Sequence, residues 1–258
     1  MKLKDKLNLL FVFLIVANTS FAYGPIGHRA IAKIADSYLT DTAKSQIKEL
    51  LEGDDIIVVS TFADDIKSDR TYDYTQMWHY VNANDGESYE HSNKNPDGDL
   101  ISAINKCIEV LKDSKSSKED KAFRLKMLVH FIGDLHQPLH TGRAEDLGGN
   151  TIKVKWFKNP TNLHRVWDSN MIDSQKMSYT EIAETMKRPP YIDAEKIASG
   201  DVISWYNESK KLSYKVYDSV KPNENLSYHY NYIYYPIVKE RMNYAGIRLA
   251  KMLNDIFK

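Results

Sequence analysis

The chain has 258 residues, with 35 Lys+Arg against 35 Asp+Glu and a formal net charge of zero. That balance excludes a broad basic surface for nucleic acid or an anionic membrane, so any anion must be met by a local charge. A single cysteine, Cys107, excludes an intrachain disulfide framework.

In chain order, the first element is a targeting signal. "MKLKDKLNLLFVFLIVANTSFA" has a basic start, an apolar run over residues 7–17 and small residues at Ser20 and Ala22. This pattern predicts a secretory signal peptide over residues 1–22, cleaved after Ala22. The apolar run is short for a membrane span. The mature chain is then one domain, residues 23–258, starting at Tyr23. It would be secreted or periplasmic, with no membrane anchor after processing, and is read as a monomer.

Helical patterns dominate the mature chain. "PIGHRAIAKIADSYL" (25–39) repeats apolar residues at helical spacing, and Pro25 suits a first helical position. "IIVVS" (56–60) is β-branched but short, and reads either as a strand or as the approach to a helix. "DLISAINKCIEVLK" (99–112) has Ile101, Ile104, Ile108 and Leu111 in register, with Asp99 as cap and Cys107 on the apolar face as a buried, inert thiol. "KAFRLKMLVHFIGDLH" (121–136) forms the next helix, ended by Pro138. "TIKVKWF" (151–157) is the one clean strand, after the turn Gly148-Gly149-Asn150. Residues 82–99 and 158–162 read as loops. Residues 203–218 and 229–256 are two more helices, the last kinked or interrupted at Pro236. The expected fold class is mainly α, a single helical domain with at most a small β-hairpin.

The chemistry is concentrated in "LVHFIGDLHQPLH" (128–140). Residues four apart share a helix face, so His130 and Asp134 stand side by side. Imidazole and carboxylate are both zinc ligands. Taken alone, the pair reads slightly better as a core histidine bonded to a carboxylate. His140 lies on the turn past Pro138 and can fold back, whereas His136 points away. "NLHRVWDSN" repeats the spacing with His164 and Asp168, "MWHYVNAND" sets His79 among aromatics, "TFADDIK" offers Asp64 and Asp65, and "YGPIGH" places His28 near the mature start. His91 and His229 read as surface residues. Two His-x-x-x-Asp pairs with further buried-looking His and Asp suggest several metals in one cleft.

Together "GPIGH", "FADD", "WHYVNAND", "LVHFIGDLHQPLH", "GGN" and "LHRVWD" resemble, in order and spacing, the trinuclear-zinc, single-strand-specific nucleases of fungi, plants and bacteria (the S-one/P-one type). That family shares its mainly α fold with the zinc phospholipases C. The resemblance runs from Tyr23 to about Asn170, and "YAGIRLAKMLNDI" (244–256) looks like the family's last helix.

The resemblance implies three Zn2+ per chain. Asp64, His79, His130 and Asp134 would hold the first, and His140, His164 and Asp168 the second. Bridging Asp134, His28 and the amino group and carbonyl of Tyr23 would hold the third. Relatives often begin with tryptophan, and the swap is tolerable because the ligands are backbone atoms. Three zinc ions against three aspartates leave a positive pocket in a neutral protein. The implied reaction is hydrolysis of phosphodiester bonds in single-stranded DNA and RNA to 5′-phosphate products, with Asp64, Asp134 and Lys67 as catalytic residues. Lys67 stands where relatives place a basic residue near the phosphate. Tyr80, Asn82 and Asn170 are implied substrate contacts, with Asn82 replacing an aspartate of some relatives. The resemblance leaves 3′-nucleotidase activity and base preference open. A zinc phospholipase C is the nearest alternative, but those enzymes carry glutamate where this chain has Asp168 and lack the "WHYVNAND" arrangement. A non-catalytic protein stabilised by zinc is the second alternative. Structural zinc sites usually close their shell with Cys or His, and this set does not.

Overall fold

A computed structural model describes residues 23–81 and 83–258. The signal peptide expectation and Asn82 fall outside the described residues. No helix among those described is long and apolar enough to cross a membrane.

The helix Lys118–His136 is the centre of the fold. Ser117 caps it by accepting from the Asp120 amide, and from Leu125 to His136 it is buried on nearly every side. A helix apolar all round belongs in a core. It ends where Gln137 takes an extended conformation before Pro138, as the clash between proline and a preceding helical residue requires. The preceding helix, Leu100–Lys112, packs beside it and is opened by an Asp99–Ser102 capping box.

The first helix, Pro25–Asp36, lies along the last, Tyr228–Ile256. Their approach depends on Gly246, where a Cβ would stand 2.6 Å from Ile34. The last helix runs through Pro236 without interruption. Proline frees the carbonyl four residues back, and Tyr232 at that position is 81% exposed, so water can satisfy it.

The expected strand forms as β1, Lys153–Trp156, paired antiparallel with β2, Asn159–Asn162. Residues 159–162, expected as loop, are therefore strand. Asn-Pro-Thr-Asn has no strand signature, but β2 is an edge, where proline is tolerated. A two-residue strand β3, Asn225–Leu226, joins β1 in parallel. "IIVVS" resolves as a 3-10 turn, Val58–Thr61, leading into the short helix Phe62–Asp65.

The apolar core has two parts. One gathers Ile101, Ile104, Leu125, Phe131 and Leu135; the other gathers Tyr23, Ile31, Leu139, Leu163 and Trp167. The central helix and the Pro138 turn run between them, and the polar residues of interest collect along that seam.

Candidate metal centre

Six segments deliver eight His and Asp side chains to this seam. His28 comes from the first turns of the first helix and Asp64 from Phe62–Asp65. His79 ends the 3-10 segment Arg70–His79, and His130 with Asp134 face inward from the central helix. His140 lies on the 3-10 turn Pro138–Thr141. His164 sits in Leu163–Arg165, which continues as the π-helical turn Val166–Asn170 carrying Asp168. All are at most 6% exposed.

They form three groups: His28, His130 and Asp134; Asp64, His79 and His130; and His140, His164 and Asp168. Within each group the candidate ligand atoms lie within 4.8 Å of one another. Two ligands sharing an ion at roughly 2.1 Å are about 4 Å apart or less, so a small contraction completes each site. Asp134 joins the first two groups. Its Oδ1 stands 3.4 Å from His28 Nε2, while its Oδ2 stands 2.9 Å from His79 Nδ1 and 3.5 Å from His130 Nε2. A carboxylate aimed at two groups with different oxygens has the form of a bridge. His164 Nε2 and Asp168 Oδ2 are 2.9 Å apart.

Three imidazoles are oriented from behind. The Nδ1 atoms of His130, His140 and His164 face the carbonyls of Ser60 at 2.8 Å, His79 at 2.6 Å and Gly148 at 2.7 Å. A carbonyl there fixes the proton on Nδ1 and presents Nε2 with a free lone pair, the usual arrangement behind a ligating histidine. His130 and His140 Nε2, His79 Nε2 and both ring nitrogens of His28 are buried without a hydrogen-bond partner. Such orphaned atoms are rare in folded proteins and call for an ion or water. The residues fit zinc on this observation.

Electrostatics agree. Burial holds the His28 and His79 imidazoles well below the usual histidine range and pulls His130 down to about 4. They stay neutral, the form that binds metal. Burial, together with the Asp64 carboxylate, raises the Asp134 carboxyl well above its ordinary value. Burial also pushes Asp168 upward, but the His164 and His140 side chains overcome it and bring the group down to about 2. His164 is raised: burial lowers it, and Asp168 outweighs that.

Tyr23 is fully buried, its ring 6.4 Å from His28 and its hydroxyl donating to the His136 carbonyl at 3.3 Å. The next residue, Gly24, donates its amide to the Asp168 carbonyl at 2.9 Å. Lys67 Nζ donates to Asp64 Oδ1 at 2.7 Å. Tyr80 is half-buried on a cavity of about 380 Å³ whose lining includes Met77, Asn95, Ala144 and Leu147. Asn170 is half-buried and its Oδ1 accepts from Thr161 at 3.4 Å. His91 and His229 are exposed. His136 is buried and turned away, its Nδ1 facing the Ile132 carbonyl and its Nε2 facing Arg248. Cys107 is buried, which pushes its thiol up to about 12.

Sequence reasoning missed two residues. Gln137 is fully buried, donates from Nε2 to Asp168 Oδ1 and accepts from the Leu139 amide at 2.6 Å. An uncharged polar residue inside an apolar ligand motif was the available signal. Leu147, 59% exposed with φ of 53°, faces the Tyr80 cavity and carried no signal beyond its neighbouring glycines.

A family model described as S1/P1 Nuclease matches residues 23–258. The chain is 33% identical to Endonuclease 4 of Arabidopsis thaliana over 271 residues, covering 93% of this chain and 91% of that protein. It is 33% identical to Nuclease S1 of Aspergillus oryzae over 183 residues, covering 67% and 62%. It is 32% identical to Nuclease P1 of Penicillium citrinum over 160 residues, covering 58% of each.

Proposed function

The chain belongs to the S1/P1 nuclease family, and from that premise we propose that it is a zinc-dependent endonuclease acting on single-stranded DNA and RNA to give 5′-phosphate products. The observation that carries the zinc centre is the set of buried, partnerless imidazole nitrogens arranged in three groups, two of them joined by Asp134. Asp64, His79, His130 and Asp134 would hold one Zn2+, and His140, His164 and Asp168 a second. His28, Asp134 and the backbone amine and carbonyl of Tyr23 would hold the third. Bound zinc supplies Lewis acidity and brings water to a pKa of about 7.

The chain's own residues do the rest. The carbonyls of Ser60, His79 and Gly148 hold three imidazoles in one tautomer, and Gln137 fixes the Asp168 carboxylate. Lys67 keeps a cation beside Asp64, where a bound phosphate would gather negative charge. Tyr80 offers an aromatic face to a base in the cavity it shares with Leu147. Stacking of that kind contributes about 1–3 kcal/mol per base and requires the base unpaired. Asn82 and Asn170 are assigned to substrate contact on the resemblance alone.

The third group requires a free amine at Tyr23, so cleavage after Ala22 is a condition of activity. The family match starting at residue 23 supports that boundary. We place the mature domain, residues 23–258, outside the cytoplasm as a monomer with no membrane anchor. The phospholipase C and binding-protein readings are not favoured, because the named relatives are nucleases.

The test incubates the processed chain with single-stranded DNA and RNA, with and without a chelator, and determines the end groups. Chelator-sensitive cleavage leaving 5′-phosphates is expected. A zinc-loaded chain that cleaves neither would overturn the proposal.

A further inference from the structure

Lys210 is a buried cation that the proposed chemistry does not use. It sits on the helix Val202–Tyr217 at 5% exposure. Its Nζ donates to the carbonyls of Ala83 and Gly142, each at 2.9 Å, and lies 5.6 Å above the Tyr214 ring. Burying an ammonium costs several kcal/mol, and a neutral side chain would fill the space more cheaply. What the ammonium alone provides is a set of directed donors strong enough to hold carbonyls of two separate segments.

One of those segments leaves His79 and the other leaves His140, and they already touch: the Val81 amide donates to the His140 carbonyl at 2.8 Å. The helix face that carries Lys210 also carries Tyr214 and Tyr217, at i+4 and i+7. Tyr214 Oη accepts from the Gly86 amide at 3.3 Å. Tyr217 Oη accepts from the Arg143 amide at 2.9 Å and donates to Asp146 Oδ1 at 3.0 Å. Arg143 Nε and Asp85 Oδ2 stand 2.9 Å apart across the two segments. One helix face therefore sets how far apart the two loops stand. Both segments line one cavity, the first through Tyr80 and Val81 and the second through Ala144 and Leu147.

We infer that Lys210 is a positioning residue for substrate: it fixes the spacing of the loops that follow His79 and His140, and with it the width of the cavity that takes an unpaired base. The inference rests on the nuclease reading above. A flat base held between two walls gains contact only when the gap matches its thickness, because dispersion contacts fall off within about an ångström of gap. Lys210 thus acts on capture of the base and leaves the metal ligands in place, since the His79 ring is met by Asp134 and the His140 ring by the His79 carbonyl, outside the carbonyls that Lys210 holds.

The experiment uses the processed, zinc-loaded chain and two oligonucleotides of equal length, one with bases throughout and one abasic. Lys210→Met keeps the stem and removes the ammonium. Zinc per chain and kcat should stay within about twofold of the parent. KM for the base-bearing strand should rise about tenfold, equivalent to ~1.4 kcal/mol of binding, while KM for the abasic strand stays unchanged. Lys210→Arg should recover most of the loss. An unchanged KM, or equal rises on both strands, would overturn the inference. Should Lys210→Met fail to fold, Tyr214→Phe removes only the hydroxyl that accepts from Gly86. It should raise KM about threefold on the base-bearing strand alone, and no rise would overturn the inference. A parent chain that cleaves neither strand rejects the nuclease reading itself.

Discussion

Replacing Asp134 with asparagine should have opposite effects with and without metal. Metal-free, Asp134 is a fully buried carboxylate whose pKa is driven up by burial and by Asp64. Asparagine has the same size and no charge, so it removes a desolvation cost and a like-charge repulsion, together about 1–3 kcal/mol. At about 2–4 °C per kcal/mol for a chain of this size, the metal-free variant should melt about 2–12 °C above its parent. With zinc the sign reverses. Asp134 faces His28 with one oxygen and His79 and His130 with the other, so the change weakens two sites. At free zinc about 1,000-fold above Kd each site contributes ~4.1 kcal/mol, and losing both removes roughly 8 kcal/mol. That is on the order of 15–30 °C in Tm. Calorimetry on stripped and zinc-loaded proteins, with zinc per chain counted by mass spectrometry, reads both effects. A variant that keeps the parent's zinc-induced shift, or a stripped variant melting well below the stripped parent, refutes the bridging role.

Other contacts lead to three more predictions. Gly133→Ala would place a Cβ 2.9 Å from His28 Nδ1 and 3.0 Å from its Cε1, so it should cost about 1–3 kcal/mol in denaturant unfolding and lower zinc content; a neutral result would mean the first helix gives way freely. Gln137→Leu removes the amide that holds Asp168 and should weaken zinc retention against a competing chelator about tenfold or more. Retention equal to the parent's would show that Asp168 needs no such support. Cys107 ionises at about 12 when folded against 9.0 in the unfolded reference. Its contribution is complete below about pH 9 and is lost as pH rises from there toward 12, at up to ~1.4 kcal/mol per pH unit. Cys107→Ala should flatten the stability profile over that window, and a thiol reagent near neutral pH should label the native parent only in denaturant.

The long elements were legible because burial on one face imposes a helical period on residues 25–36 and 100–112, and because Asp99 and Pro138 mark ends by local geometry. His130 with Asp134, and His164 with Asp168, were legible as i,i+4 pairs. What joins them was not. Nothing local places His28 in a stack 3.7 Å from His130, or Asp64 beside His79; those contacts depend on how helices cross. Asp41–Leu50 escaped notice because it buries only Ala43 and Ile47. Strand β2 escaped because its pairing comes from β1 and owes nothing to its own side chains. Lys210 looks in sequence like any solvated lysine, and only its two carbonyl partners distinguish it.

The distances along the chain within the centre carry a kinetic meaning. The Gly24 amide meets the Asp168 carbonyl across most of the first two-thirds of the protein, so the centre is complete only after long loops have closed. Contacts of that range are the ones a folding chain makes late, since closing entropy is spent before they return anything. Ions bound there stabilise the finished fold with little effect on the folding barrier. They therefore slow unfolding while leaving the rate of folding nearly unchanged. In a chain whose single cysteine is buried and free, ions held by these three groups would take the part a crosslink would otherwise play in setting how long the native state lasts.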